Sequence, residues 1–143
     1  MQNLLEKSNP IAGGGCSRVN CFQYSSGNRQ CNKIHCDKAG IGYEIRCLHP
    51  ECQELGVVYH GETARSCFSR GLEHWQNLKN KRKDSVLWKH SHNAHNGDPN
   101  VEYEMKAVKS YGRDNLTRKV NEAVRISEHK GVKLNSKAEC YLL

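Results

Sequence analysis

Eight cysteines in a chain of 143 residues with only two Phe and two Trp constrain this fold more than any other feature. Apolar residues make up 36% of the chain, enough for one compact domain with a lean core, so a staple beyond packing is expected. Cysteines supply it as disulfides in an oxidising compartment or as metal ligands in a reducing one. The opening "MQNLLEKSNPIAGGG" has no positive segment followed by an apolar run, and no stretch approaches membrane-spanning length. The expectation is an intracellular protein whose thiolates bind zinc, with a disulfide-rich secreted protein as the competing reading.

Spacing sorts these cysteines into groups. Cys47 and Cys52 flank a proline turn in "CLHPEC" and suit half of a tetrahedral zinc site. His90 and His95 in "HSHNAH" can supply the other half, with His92 as a competing ligand. Cys16, Cys21, Cys31 and Cys36 could form a second zinc site, with His35 as an alternative ligand. Cys67 and Cys140 read as inert thiols.

Three regions follow from composition. Residues 1–15 end in three glycines and carry no periodicity, so they read as a flexible lead-in. Residues 16–38 hold four cysteines among Ser, Gly and Asn, with too few apolar side chains for a core, so metal would have to order them. The folded domain is expected over 39–143. Within it, "YEIRC" alternates, and "LGVVYHG" follows after a short cysteine-containing loop, predicting a two-stranded antiparallel unit. Thr63 and Ser66 are candidate N-caps for a helix over about 66–79 that carries Phe68, Leu72, Trp75 and Leu78 at helical spacing. "SVLWKHSHNAHNGDP" reads as a short helix or turn, and "VEYEMKAVKSY" as a third strand. "DNLTRKVNEAVRISEHKG" reads as an amphipathic helix with Leu116, Val120, Ala123 and Val124 inward and Gly131 past its end. The fold class expected is α/β of the α+β type: a small three-stranded antiparallel sheet flanked by helices, with zinc-stapled loops.

On the helix after Gly61, Arg70 and His74 are four apart and share a face roughly opposite the apolar stripe, so both are expected on an exposed surface. Tyr59 lies in the strand leading into that helix, and Tyr43 in the neighbouring strand. If both strands present these residues toward the helix, an arginine, a histidine and two phenols converge. Taken one at a time they are ordinary strand-forming tyrosines and solvated helix positions.

The linear pattern "YEIRC…VVYHGETARS…R-x-x-E-H" resembles the GIY-YIG nuclease superfamily. Tyr43 matches the first motif tyrosine and Tyr59-His60-Gly61 the second motif. Arg70 and His74 match the arginine and histidine of the family's helix, Glu122 its metal-binding glutamate, and Asn135 the asparagine near the end of the domain. The resemblance runs over about residues 43–136. It departs in reading Ile41-Gly42-Tyr43 for the first motif and in placing His60 where isoleucine or valine is usual, which leaves open whether His60 perturbs the strand or joins the site. Cysteines between the two motifs, completed by His90 and His95, are similar to the zinc site in the endonuclease domain of Penelope-like retroelements. Similar cysteine-rich leads precede that domain, so Cys16 to Cys36 would form a zinc knuckle or ribbon that helps grip nucleic acid.

The resemblance implies metal-dependent nicking or cleavage of DNA accompanying retroelement insertion. Arg70 would clamp the non-bridging phosphate oxygens, and Glu122 would hold Mg²⁺ or Mn²⁺. Tyr43 or Tyr59 would be the general base, its phenolate favoured by a nearby cation, with His74 assisting. For Glu122 the alternative is an ion pair with Arg118 or Arg125, at i−4 and i+3. The formal charge of +7 and pI near 9.0 suit a polyanionic partner. Lys79, Lys81, Arg82 and Lys83, with Lys106, Lys109 and Arg113 further on, are the candidate phosphate contacts. DNA is the expected partner, with RNA or a reverse transcriptase on the same or another chain beside it, and a nuclear location follows from the resemblance. The alternative function is a catalytically inactive, zinc-dependent nucleic-acid-binding module.

Overall fold

Alternation builds the sheet. The structure, a computed structural model, describes residues 37–135, and its first strand, β1 (Ala39–Cys47), buries Ile41, Tyr43, Ile45 and Cys47. That is the period of a strand with one core face. β1 is the central strand, flanked by β2 (Val58–Ser66) and β3 (Tyr103–Ser110) in the order β2-β1-β3, both pairings antiparallel. Tyr43 stands opposite Gly61 and Ala107, and Ile45 opposite Tyr59 and Met105. The three-stranded antiparallel α+β architecture is therefore the one expected.

The segment between Cys47 and Cys52 was expected to be a turn within a loop; it contains a short helix, α1 (Pro50–Leu55). Pro50 begins it because the first helical position needs no N–H, the His49 Nδ1 accepts from the Glu51 N–H at 3.3 Å, and Gly56 closes it at φ 65°. Helix α2 (Cys67–Lys79) starts where Ser66 Oγ accepts from the Ser69 N–H at 3.1 Å. Thr63 stays in β2, where it accepts from the Arg65 N–H at 3.0 Å. Helix α3 (Val86–His95) is a ten-residue helix capped by Ser85, and α4 (Asn115–Glu128) is capped by Asp114.

Adjacent residues of the strands face different helices. A Cβ at Gly61 would strike the Tyr43 ring, whereas one at Gly42 would strike the Arg125 guanidinium of α4. The face bearing Tyr43, Ile45, Tyr59 and Met105 forms the core with Cys67 of α2 and Leu87 of α3. The opposite face is polar, with Glu44, His60 and Glu62, and that overturns part of the expected orientation of α4. Ala123 is buried as expected and Val124 is half-buried, but Leu116 and Val120, expected inward, are exposed, while Arg118 and Ile126 are buried. Arg118 Nε donates to Glu62 Oε1 at 2.5 Å, and Arg125 donates to the Tyr43 and Gly61 carbonyls at 3.1 Å each. A helix docked on a polar sheet face turns its arginines inward.

Candidate active site and metal centre

Arg70 and His74 do share a helical face, but it lies against the sheet rather than in solvent. His74 is 7% exposed and Arg70 is half-buried. The sheet presents two phenols to that face, so the helix position that a helical wheel marks as polar becomes part of the interior. Tyr43, Tyr59 and His74 pack with ring centroids 5.7–6.3 Å apart. Tyr43 Oη lies 2.8 Å from His74 Nε2 and accepts from Arg70 Nε at 3.2 Å. Burial first, and then Arg70, push His74 down to about 3, so its imidazole is neutral near pH 7. A neutral ring can accept here, and a phenol that already accepts from a guanidinium is best satisfied by donating to it.

The expectation that a cation would favour a tyrosine phenolate does not hold for Tyr43. Its complete burial raises the phenol well above the ordinary range, Tyr59 and Glu122 adding to this, and Arg70 only partly offsets it. Glu122 stands half-buried on α4, and its negative charge acts on Tyr43 and on Arg125. Of its two expected arginine partners, Arg118 is held by Glu62 and Asn115 and Arg125 by strand carbonyls.

Asn135 does not join the phenols. Its Oδ1 accepts from the His60 N–H at 2.9 Å and its Nδ2 donates to the His60 carbonyl at 2.7 Å, so it pairs with the free edge of β2 beside the Val58–Lys133 bridge. The open question of His60 is answered by that register. The ring points to the α4 side, where Nε2 meets His129 Nδ1 at 3.1 Å, and burial followed by the Arg125 charge lowers it to about 4. It neither disrupts β2 nor touches Tyr43.

The second constellation is a group of four donor atoms from Cys47, Cys52, His90 and His95, all within 4.8 Å of one another. Cys47 comes from the end of β1, Cys52 from α1 and both histidines from α3. Sulfurs about 2.3 Å and nitrogens about 2.05 Å from a tetrahedral zinc would stand about 3.6 Å (S to N) and about 3.3 Å (N to N) apart. Three of the four sulfur-to-nitrogen distances are 3.3, 3.5 and 3.6 Å, and the two Nε2 atoms are 3.2 Å apart. The group can hold a structural metal such as zinc. Burial pushes the Cys47 thiol up to about 12, the His49 backbone opposing and Cys52 adding; a cation at the centre reverses that preference. His92, the competing ligand, is exposed and lies over Trp88 at 5.6 Å. Cys47, Cys52 and Cys67 form no disulfide, and Cys67 is buried in the core.

Lys79, Lys81, Arg82 and Lys83 are exposed at the end of α2 and in the turn that follows, where Lys79 Nζ lies 5.5 Å from the Trp75 ring and Lys81 Nζ 5.5 Å from Trp88. Cys16, Cys21, Cys31, Cys36 and the regions 1–15 and 16–36 lie outside the described residues. Sequence reasoning gave no role to Glu73, which binds Arg70 and Arg65, or to Glu62, which pairs with the buried Arg118, and it placed Arg118 and Arg125 only as partners of Glu122. The i, i+3 spacing of Arg70 and Glu73 was a visible signal for the first; nothing local marks the second. Among the described residues no helix is long and apolar enough to cross a membrane. Comparison with protein-family models, with curated proteins and with solved structures finds no match.

Proposed function

We propose that this chain carries a metal-dependent DNA endonuclease domain of the GIY-YIG type, closest to that of Penelope-like retroelements. The observation that carries the reading is the convergence of Tyr43, Tyr59, Arg70 and His74 from two strands and a helix, with the Tyr43 phenol held between the Arg70 guanidinium and a neutral His74. Phosphodiester hydrolysis needs a base for the attacking water and positive charge for the pentavalent phosphate. Tyr43 or Tyr59 takes the water proton; at Tyr43 the phenol would pass its own to His74 Nε2 as it does so, so no buried phenolate has to persist. The phosphodiester, bound beside Arg70, offsets the positive charge that depresses His74 and makes the imidazole a better acceptor. Arg70 holds the non-bridging oxygens. Glu122 is the residue that would hold Mg²⁺ or Mn²⁺, in keeping with that cation's habit of taking one carboxylate and completing its shell with water and phosphate. The cation would neutralise charge on the phosphate and leaving oxygen. Asn135 positions the strand that carries Tyr59, and the Cys2His2 group staples α1 and α3 to β1. DNA is the partner, met by Lys79, Lys81, Arg82 and Lys83, and mobility of a retroelement is the setting.

One observation favours a second reading, a catalytically inactive nucleic-acid-binding module: burial holds Tyr43 protonated. Zinc-loaded protein incubated with supercoiled plasmid and Mg²⁺ or Mn²⁺ separates the two. Nicked or linear product from the parent, with at least a hundredfold loss in folded Arg70→Ala and Glu122→Ala, supports the nuclease. DNA binding without cleavage in parent and variants alike supports the module.

A further inference from the structure

Glu73 has no task in the chemistry above, yet it occupies the arginine that chemistry needs. Its Oε1 accepts from Arg65 Nη2 at 2.7 Å and also from Arg70 Nη1. Arg65 comes from the end of β2 and Arg70 from the start of α2, so two elements converge on one carboxylate oxygen. Two guanidinium groups around one oxygen is the arrangement in which arginines take phosphate or carboxylate. The occupant is not locked in: the Arg65, Glu73 and Arg70 side chains are 55%, 38% and 26% exposed, so the carboxylate can swing to water and an anion can enter from it. The seat also adjoins the Tyr43 phenol through Arg70 Nε.

We infer that Arg65 and Arg70 form a two-arginine seat for a phosphodiester oxyanion, kept assembled in the absence of nucleic acid by the Glu73 carboxylate, which the phosphate displaces. Naming the anion a phosphodiester rests on the nuclease reading; the seat rests on the contacts. Without Glu73 two cations would face each other with nothing between them. With it, a small monoanion must eject a tethered carboxylate of equal charge and gains little. A nucleic-acid backbone engages further cations and releases counterions, so it prevails. Arg65 is thereby a second phosphate-binding residue, and Glu73 a positioning residue that also screens out small anions.

The test measures binding of a short fluorescent DNA duplex to the zinc-loaded full chain over a range of salt, without added Mg²⁺ or Mn²⁺. Glu73→Gln should bind about threefold tighter, the size of a released surface ion pair, with a salt dependence steeper by about one phosphate contact. Arg65→Gln should lose about one contact, and Arg65→Gln combined with Glu73→Gln should lose the gain. Glu128→Gln removes the same charge from the exposed end of α4 and controls for net charge. An equal gain in Glu128→Gln, a gain that survives loss of Arg65, weaker binding by Glu73→Gln with a lowered melting point, or no binding by any form each overturns the seat. Cleavage assays on the same proteins keep the two ideas apart. The expected binding pattern with no cleavage upholds the seat and removes the nuclease, and cleavage by the parent with no binding change in Glu73→Gln does the reverse.

Discussion

The tyrosine cluster and the Cys2His2 group flank the same sheet face, one under α2 and the other beside α3, and they satisfy buried polar atoms in different ways. At Tyr43 the protein supplies both sides of each bond: Arg70 donates to the phenol, and the phenol and His74 share a hydrogen bond. At Cys47, Cys52, His90 and His95 four lone-pair donors face one another within 4.8 Å, a crowding that a cation relieves. The first constellation is completed by folding, whereas the second is a group that could hold a metal and would complete folding on binding one. A metal staple at the second would let a chain this lean in aromatic residues keep two phenols packed against the arginine and histidine of α2.

The largest effect that would break this contrast comes from the metal. Chelation, or Cys52→Ser, should cost several kcal/mol, on the order of the whole stability of a domain this size, seen as a collapse of the thermal midpoint. An unchanged midpoint would mean that the Cys2His2 group does not staple the fold. Next in size is the response to acid. His74 and His60 are held at about 3 and about 4, below the ordinary value of about 6.5, so the folded state binds fewer protons than the unfolded one between those limits. Their contribution is fully present above pH 6.5 and is lost as pH falls toward 4 and then 3, by about 1.4 kcal/mol per pH unit for each. Urea midpoints of parent and His74→Gln, compared at each pH with saturating zinc, isolate the His74 part, because zinc loss in acid is common to both. A parent no steeper than the variant would mean that His74 is protonated in the fold.

Smaller still is Gly61→Ala, where the new methyl meets the Tyr43 ring. Overpacking should cost about 1–3 kcal/mol and move the phenol off His74 while leaving zinc affinity alone. Loss of zinc affinity in that variant would show the two constellations to be one cooperative unit. The smallest effect belongs to Leu116→Ser, on a side chain 74% exposed, which should change stability by no more than about 0.5 kcal/mol. A larger loss would show that this face of α4 is covered.

Much of this architecture was legible locally. The alternation of Tyr43, Ile45 and Cys47, the Ser66 cap, and the helical spacing through α2 and α4 are signals carried by neighbours in the chain, and each element formed close to where it was read. The ligand pairs Cys47/Cys52 and His90/His95 were legible too, since metal coordination limits residue type and spacing. Tertiary structure alone decided which faces meet. It buried the face of α2 carrying Arg70 and His74 because two phenols project from the sheet beneath it, and it turned Arg118 and Arg125 inward because Glu62 and bare strand carbonyls lie under α4. It chose His95 over His92 through the direction each side chain takes from α3, and it brought Arg65 to Glu73 across the junction of β2 and α2. Periodicity and capping are properties of a segment, whereas burial and partner choice depend on the surface another segment presents.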